Sequence, residues 1–233
     1  MVGPGGGAAI VTGPHHALVV TGGPYPDHVL SAMADGLPPA DLMVAADGGA
    51  AVARRLRLDV DMVVGDLDSA DDRAVAAAGE VRRHPIDKDD TDLELALAAV
   101  VEAGCRSATV LATMSGRVDH ALGNLLVVAG DRWADLTIDL RVDGAHGRVV
   151  RDTYQVDGAE GDLFSLLAVG GPATGVTTTG LIWPLDDATL EPGLGRGLSN
   201  RLVAQRAEVQ VASGVLLALH QVQDRPVSGT GAG

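Results

Sequence analysis

The sequence is poor in aromatic residues, cysteine and positive charge. Aromatic side chains make up only 2% of its 233 residues, so a core must be built mainly from Ala, Val and Leu. Cys105 is the only cysteine, which excludes an intramolecular disulfide and favours a reducing compartment. The formal net charge of −14 argues against a nucleic-acid partner, because few cations are available to neutralise a phosphate backbone. An anionic substrate would need local help from a bound cation, a few arginines or helix N-termini.

Long apolar runs and targeting signals are lacking as well. No stretch approaches the roughly 20 apolar residues that cross a bilayer, so no membrane association is expected. The Gly- and Pro-rich residues 1–14 lack the basic and apolar regions of a signal peptide. We therefore expect a cytoplasmic protein. Its residues 1–16 and 223–233 are expected to be mobile tails, because neither segment can bury much apolar surface.

The first half of the chain alternates short apolar runs with helical patterns, which is typical of a parallel sheet with crossover helices. The runs lie at 17–20, 42–46, 62–64, 81–84, 109–112 and 136–142. The last run alternates apolar and polar residues and predicts a half-exposed edge strand. From about Gly147, glycines and prolines separate short β-rich segments. The predicted fold class is α/β, with a parallel-sheet domain at 17–146 followed by a small all-β sandwich domain at 147–222.

Two helices are predicted in the first half. After Thr91, apolar residues recur at the spacing of one buried helix face. Thr91 and Glu94 form a capping-box pattern, and Gly104 is placed to end the helix. A second helix is predicted from about 119 to 129. Its inner face is expected to carry Leu122, Leu125 and Leu126.

Aspartates follow two of the predicted strands directly. The third strand ends in Gly65-Asp66-Leu67-Asp68-Ser69, and the second in Ala46-Asp47-Gly48-Gly49. In open α/β sheets ligands bind at this end of the strands. Paired carboxylates repel unless a cation lies between them, and oxygen-rich sites suit Mg²⁺. The alternatives are a loop whose Asp68 or Ser69 caps a helix, and an ordinary glycine turn after the second strand.

More polar residues cluster before the two predicted helices. Four aspartates lie within six positions from Asp87 to Asp92, more than helix capping requires; a cation or Lys88 would stabilise them, unless the run is a solvated face. Arg117 precedes the second helix and is a candidate phosphate clamp, because its guanidinium is planar and always charged. His120 suits a structural role or a general base.

In the second half, three side chains suit either structural or binding roles. Trp183 could pack in the core or stack on a ligand ring. Ser199 and Asn200 could form a turn or fix the edge of a heterocycle.

Taken in order, these motifs resemble the thiamine pyrophosphokinase family. The matching segments are 46–49, 65–69, 88–94, 116–120 with Asn124, 180–183 and 199–200. The family transfers a diphosphate group from ATP to the hydroxyl of thiamine, giving thiamine diphosphate and AMP, with Mg²⁺. The resemblance implies a nucleotide-binding catalytic domain followed by a thiamine-binding β-sandwich, in a homodimer whose active site lies between subunits. One departure is Ser115, where the family often has a second glycine.

The resemblance also assigns roles by position. The catalytic residues would be Asp66, Asp68, Asp92 and Arg117, of which the three aspartates would be metal ligands. The nucleotide-binding residues would be Asp47, Gly48, Ser69, Asp90, Thr91, Arg117, Asp119 and Asn124. The thiamine-binding residues would be Trp183, Ser199 and Asn200.

Three other functions are alternatives to this one. A phosphatase with an aspartate nucleophile would suit Asp66-Leu67-Asp68, but the threonine expected two residues after Asp68 is missing. A dinucleotide-binding oxidoreductase would need a Gly-x-Gly-x-x-Gly motif after the first strand, and this sequence lacks it there. A non-catalytic module that binds thiamine or a nucleotide is the remaining alternative, although a mere binder has little use for so many repelling acids.

Overall fold

The computed structural model describes residues 15–68 and 71–222. The tails expected at 1–16 and 223–233 lie outside these residues, except for positions 15 and 16. Ser69, which was predicted to bind the nucleotide, also lies outside them. No helix within these ranges is both long enough and apolar enough to span a membrane.

Fourteen strands and five α-helices follow one another within residues 15–68 and 71–222. The strands are β1 (His16–Thr21), β2 (Leu42–Ala46), β3 (Met62–Gly65), β4 (Glu80–Arg83), β5 (Ser107–Ala112), β6 (Thr137–Val142), β7 (Ala145–Val150), β8 (Thr153–Asp157), β9 (Leu163–Ala168), β10 (Ala173–Thr179), β11 (Ala188–Leu190), β12 (Asn200–Arg201), β13 (Arg206–Gln210) and β14 (Leu216–Gln221). The helices are α1 (Asp27–Ala34), α2 (Gly49–Arg55), α3 (Asp72–Ala77), α4 (Asp92–Glu102) and α5 (Val118–Val127). Short 3-10 helices lie at Asp131–Trp133 and Gly195–Gly197.

Ten of these strands form one sheet, in the order β12-β9-β14-β7-β6-β5-β1-β2-β3-β4. Pairing is parallel from β6 to β4 and antiparallel from β6 to β12. A second, antiparallel sheet has the order β11-β10-β13-β8. The predicted class, an α/β domain followed by a small antiparallel sandwich, is confirmed. The chain moves outward from β1 through β2 in one direction and through β5 in the other, so the order reverses beside β1, where ligands bind in open sheets.

The predicted edge position of β6 is wrong, because β6 lies between β5 and β7 inside the large sheet. Its apolar residues, such as Ile138 and Leu140, are buried in the main core. Two polar residues on its other face have partners: Asp139 pairs with Arg148 of β7, and Arg141 Nη2 donates to the Gly36 carbonyl. Alternation therefore reflects one polar face of an interior strand.

Ala, Val and Leu dominate the cores, as the composition predicts. One core joins α4 to the sheet, a second lies under α1 and α2, and a third fills the space between the two sheets around the fully buried Phe164. The predicted capping box begins α4: the Glu94 N–H donates to the Thr91 hydroxyl, and the Thr91 N–H donates to the Glu94 carboxylate.

The prediction that Leu122, Leu125 and Leu126 form the inner face of α5 is wrong for two of the three residues. Ala121 is the residue of this helix that is buried, and Leu125 packs at the edge of the main core. Leu122 and Leu126 are about half exposed, at 53% and 50%. Their helical spacing was a correct sign of an apolar stripe, but that stripe faces away from this chain's own core.

Candidate active site

A cavity of about 900 Å³ opens at the carboxyl ends of β1, β2, β3 and β5, at the predicted edge of the sheet. The loops after these strands line it, together with the N-terminal turns of α4 and α5. The predicted residues that line it are Asp47, Gly48, Asp66, Asp68, Asp90, Thr91, Asp92, Arg117, Asp119 and Asn124. The topology therefore brings together side chains that are up to 77 positions apart in the sequence, Asp47 and Asn124 being the most distant.

Three aspartates form a compact acidic cluster in this cavity. Asp47, Asp66 and Asp68 each offer a carboxylate oxygen, and these oxygens all lie within 4.8 Å of one another. Asp47 is buried and adopts a left-handed conformation with φ of 45°. Gly65 (φ 150°) permits the close approach, because a Cβ there would lie 2.9 Å from the Asp47 Cβ and 3.1 Å from Asp92 Oδ1. We call Asp47, Asp66, Asp68 and Asp92 the acid set.

Repulsion within the acid set acts on the pKa of Asp68. The negative charge of Asp66 raises the pKa of Asp68, and partial desolvation and the charge of Asp47 add to the rise. Hard divalent cations such as Mg²⁺ prefer carboxylate oxygens and would relieve this repulsion. The donor set therefore fits a divalent cation. Sequence reasoning chose Asp92 as the third ligand, whereas the compact cluster contains Asp47 in its place.

Asp92 instead contacts Lys88. The Lys88 ammonium donates to Asp92 Oδ1 over 2.8 Å and lies 3.9 Å from Asp66 Oδ2. Only 15% of the Lys88 side chain is exposed, so the ion pair is partly shielded from water. From the sequence alone, Lys88 is expected only as one possible partner of the aspartates between positions 87 and 92.

Two of the predicted nucleotide residues have structural partners. The Thr91 hydroxyl is used in the capping box of α4. Both oxygens of Asp90 accept from Arg132 at 3.0 Å, and Arg132 also stacks over Trp133. These contacts fix the first turn of α4 at the cavity wall.

Arg117 lies at the exposed rim of the cavity and pairs with Asp119. Its Nη2 donates to Asp119 Oδ2 over 2.6 Å, and its Nε donates to Oδ1 over 3.2 Å. This hydrogen bonding lowers the pKa of Asp119 to about 2 and raises the pKa of Arg117. Because both side chains are largely exposed, the guanidinium is accessible to an anion that enters the cavity.

Sequence reasoning missed Asp143, which lies in the turn between β6 and β7. Its two carboxylate oxygens accept from the Thr113 hydroxyl and from the Met114 N–H, each over 2.8 Å. These residues begin the loop that leads through Ser115 to Arg117. Asp143 has a positive φ of 46°, which is unusual for a residue other than glycine and is often found at functional sites. This sign that Asp143 holds the loop is visible only in the structure.

The predicted thiamine residues lie in the second half of the chain and do not line this cavity, whose lining residues all fall between 21 and 124. Trp183 is 60% exposed. Asn200 braces it, accepting from the Trp183 N–H at 3.1 Å and donating to its carbonyl at 2.7 Å. The Ser199 N–H donates to Ser165 Oγ, and its φ is 60°. An exposed indole on a fixed backbone suits stacking on a flat ring.

Comparisons with known proteins agree with this arrangement. Residues 35–132 match the family model described as thiamin pyrophosphokinase, catalytic domain, and residues 151–216 match the model described as thiamin pyrophosphokinase, vitamin B1 binding domain. Thiamine pyrophosphokinase 1 of Arabidopsis thaliana is 28% identical, over 76% of this chain and 77% of its own length. Thiamine pyrophosphokinase 1 of rice, Oryza sativa subsp. japonica, is 28% identical over 68% of this chain, which spans 63% of that relative.

Solved structures share the fold. The structure of thiamine pyrophosphokinase from Bacillus subtilis covers 90% of this chain and 100% of its own, with a TM-score of 0.76 and 21% identity. The structure of thiamin pyrophosphokinase from Geobacillus thermodenitrificans covers 90% of this chain and 98% of its own, with a TM-score of 0.70 and 25% identity.

Proposed function

The chain belongs to the thiamine pyrophosphokinase family, and from this premise we propose that it is a thiamine diphosphokinase, which transfers a diphosphate group from ATP to the hydroxyl of thiamine and releases AMP. The observation that carries the proposal is the compact cluster of Asp47, Asp66 and Asp68 at the strand ends, in a segment that matches the catalytic-domain model and is followed by a match to the vitamin B1 binding model. Phosphoryl transfer depends on positioning and charge neutralisation more than on covalent chemistry with the protein. The cavity supplies groups for both.

The acid set would hold Mg²⁺. The compact cluster supports Asp47, Asp66 and Asp68 as the ligands, with Asp92 beside them. When bound, the ion would neutralise negative charge on the ATP phosphates. Arg117 would exchange Asp119 for a phosphate oxygen, since its planar guanidinium binds both groups in the same way.

In the reaction, the thiamine hydroxyl oxygen forms a bond to the β-phosphorus of ATP. The bond between that phosphorus and the oxygen bridging to the α-phosphorus breaks, and AMP leaves with this oxygen. The hydroxyl proton passes to a carboxylate of the acid set. The remaining predicted nucleotide residues, Gly48, Ser69, Asp90, Thr91, Asp119 and Asn124, would bind and orient ATP through their place in or beside the cavity.

The proposal includes a homodimer with a shared active site. Trp183, Ser199 and Asn200 would bind thiamine, yet they belong to the half of the chain that does not line the cavity. The exposed stripe formed by Val118, Leu122 and Leu126 adjoins the cavity on α5 and supports an interface with a second copy. A partner's Trp183 face would then complete the cavity. A cytoplasmic location stays a prediction from the single cysteine.

The proposal is tested by incubating the protein with thiamine, ATP and Mg²⁺ and measuring AMP and thiamine diphosphate. We expect equal amounts of both products, formed only when thiamine is present. A binding module would form neither, and a phosphatase would release phosphate without thiamine. The Asp68→Asn variant should lose most of the turnover even at saturating Mg²⁺, and near-normal turnover would remove Asp68 from the proposed role.

A further inference from the structure

Lys88 is the only lysine in the chain, since every other member of its 17 Lys and Arg residues is an arginine. Arginines form ion pairs elsewhere in the described residues, as in Arg54 with Asp71 and Arg148 with Asp139. The single lysine lies in the candidate active site, in the segment that leads into α4. Its placement there indicates a use that arginine would not serve.

The contacts of Lys88 are with the acid set. Its ammonium group donates to Asp92 at 2.8 Å and lies 3.9 Å from Asp66. All three side chains are at least two-thirds buried, so their charges are screened by water less than those of surface pairs. A positive charge therefore already lies against two of the carboxylates that a divalent cation would approach.

We propose that Lys88 is an internal counter-ion of this site, which competes with a divalent cation for the acid set and turns to the phosphates of the nucleotide once the cation is bound. The second part rests on the proposed function. Lysine suits this exchange because its compact ammonium sits on a flexible stem with three rotatable donors, whereas the planar fork of arginine favours one bidentate geometry. Two consequences follow. Without nucleotide the cation binds more weakly than the carboxylates alone would bind it, and nucleotide and cation strengthen each other's binding.

The competition is tested by titrating the protein with Mn²⁺ in the absence of nucleotide and measuring free Mn²⁺ by electron paramagnetic resonance. Lys88→Met keeps an unbranched apolar stem but removes the charge, and we expect it to bind Mn²⁺ about tenfold more tightly, the factor that corresponds to roughly 1.4 kcal/mol. Lys88→Arg keeps the charge and should bind Mn²⁺ nearly as wild type does. Unchanged or weaker Mn²⁺ binding by Lys88→Met would overturn the proposal, because a lysine that only holds the acids in place would give that result.

A second measurement needs no change at Lys88. Reductive methylation with ¹³C-formaldehyde keeps the positive charge of lysine and labels, in this chain, Lys88 and the amino-terminal amine. The Lys88 methyl resonance is identified by its loss in Lys88→Arg. We expect it to shift on addition of Mg²⁺ and again on addition of a non-hydrolysable ATP analogue. A resonance that stays in place at saturating Mg²⁺ would overturn the proposal.

These measurements separate the inference from the proposed function, because neither requires turnover. A wild-type protein that forms no AMP, together with a Lys88→Met variant that binds Mn²⁺ more tightly, refutes the proposed function and supports the counter-ion. Thiamine-dependent AMP release by the wild type, together with unchanged Mn²⁺ binding by Lys88→Met, refutes the counter-ion and leaves the proposed function standing.

Discussion

Replacing Asp143 by asparagine tests whether the turn after β6 anchors the loop that enters the cavity. Asparagine keeps the size of the side chain and tolerates the positive φ of 46° at this position. It offers one acceptor oxygen where Asp143 uses two, so the Thr113 hydroxyl or the Met114 N–H loses its partner. The substitution therefore removes a single charged hydrogen bond without creating a cavity.

The expected magnitude follows from these contacts. A hydrogen bond to a charged group contributes about 1.5–3 kcal/mol, and the partly exposed position of the loop favours the lower end. We expect the free energy of unfolding to fall by ~1.5 kcal/mol, which is a melting temperature lower by roughly 3–6 °C for a chain of this size. The KM for ATP should rise, because Arg117 follows this loop, whereas the KM for thiamine should stay close to wild type.

The assay is urea unfolding followed by tryptophan fluorescence, combined with steady-state kinetics for each substrate. The matched control is Asp59→Asn, which makes the same change at an exposed aspartate away from the cavity. If Asp143→Asn and Asp59→Asn give the same unfolding midpoint and the same KM for ATP, the Asp143 anchor does not exist in solution.

Three other predictions concern the interface, the ring-binding face and pH. Leu122→Glu should turn a dimer into a folded monomer with little turnover, as measured by light scattering and circular dichroism; a dimer of unchanged mass would refute the α5 interface. Trp183→Ala should raise the KM for thiamine by the factor that about 1–3 kcal/mol of stacking represents, with little change for ATP, and equal changes for both substrates would refute the stacking role. Burial, together with the charges of Arg141 and His220, lowers the pKa of His146 from 6.5 to about 4. As the pH falls, the unfolded chain therefore binds a proton at this histidine before the folded protein does. The stability that the neutral His146 imidazole contributes is complete above pH 6.5 and is lost as the pH falls toward 4. The urea midpoints of wild type and His146→Gln, measured between pH 4 and 7, should converge at low pH, and parallel curves would refute the lowered pKa of His146.

Local patterns in the sequence predicted the parts of the fold that local physics controls. The capping box at Thr91 and the apolar strands β2 and β3 are short-range features, and the structure confirms them. The prediction that β6 is an edge strand was wrong, because the residue pattern of one strand does not show whether a second strand, here β7, pairs with it on the side away from β5. The inner face of α5 was wrong for a related reason, since an apolar stripe marks a contact surface without naming its partner.

The candidate site shows the same division. The glycines and aspartates that follow successive strands were enough to predict that Asp47, Asp66 and Asp68 lie at one edge of the sheet, because neighbouring parallel strands end at the same edge. The choice between Asp47 and Asp92 for the compact cluster depends on distances of a few ångströms, which spacing cannot supply. Asp143 contacts a loop 30 positions earlier in the chain, and no local pattern reports a contact of that range.

The continuous hydrogen bonding from β6 into β7 has a consequence for dissecting this protein. The chain changes character near residue 146, yet a cut there would strip β6 of its neighbour and leave β7 with a bare flank of amide and carbonyl groups. Such flanks recruit other strands and promote aggregation. Separate expression of the two halves should therefore give insoluble fragments, and co-expressed fragments should recover solubility by restoring the shared ladder.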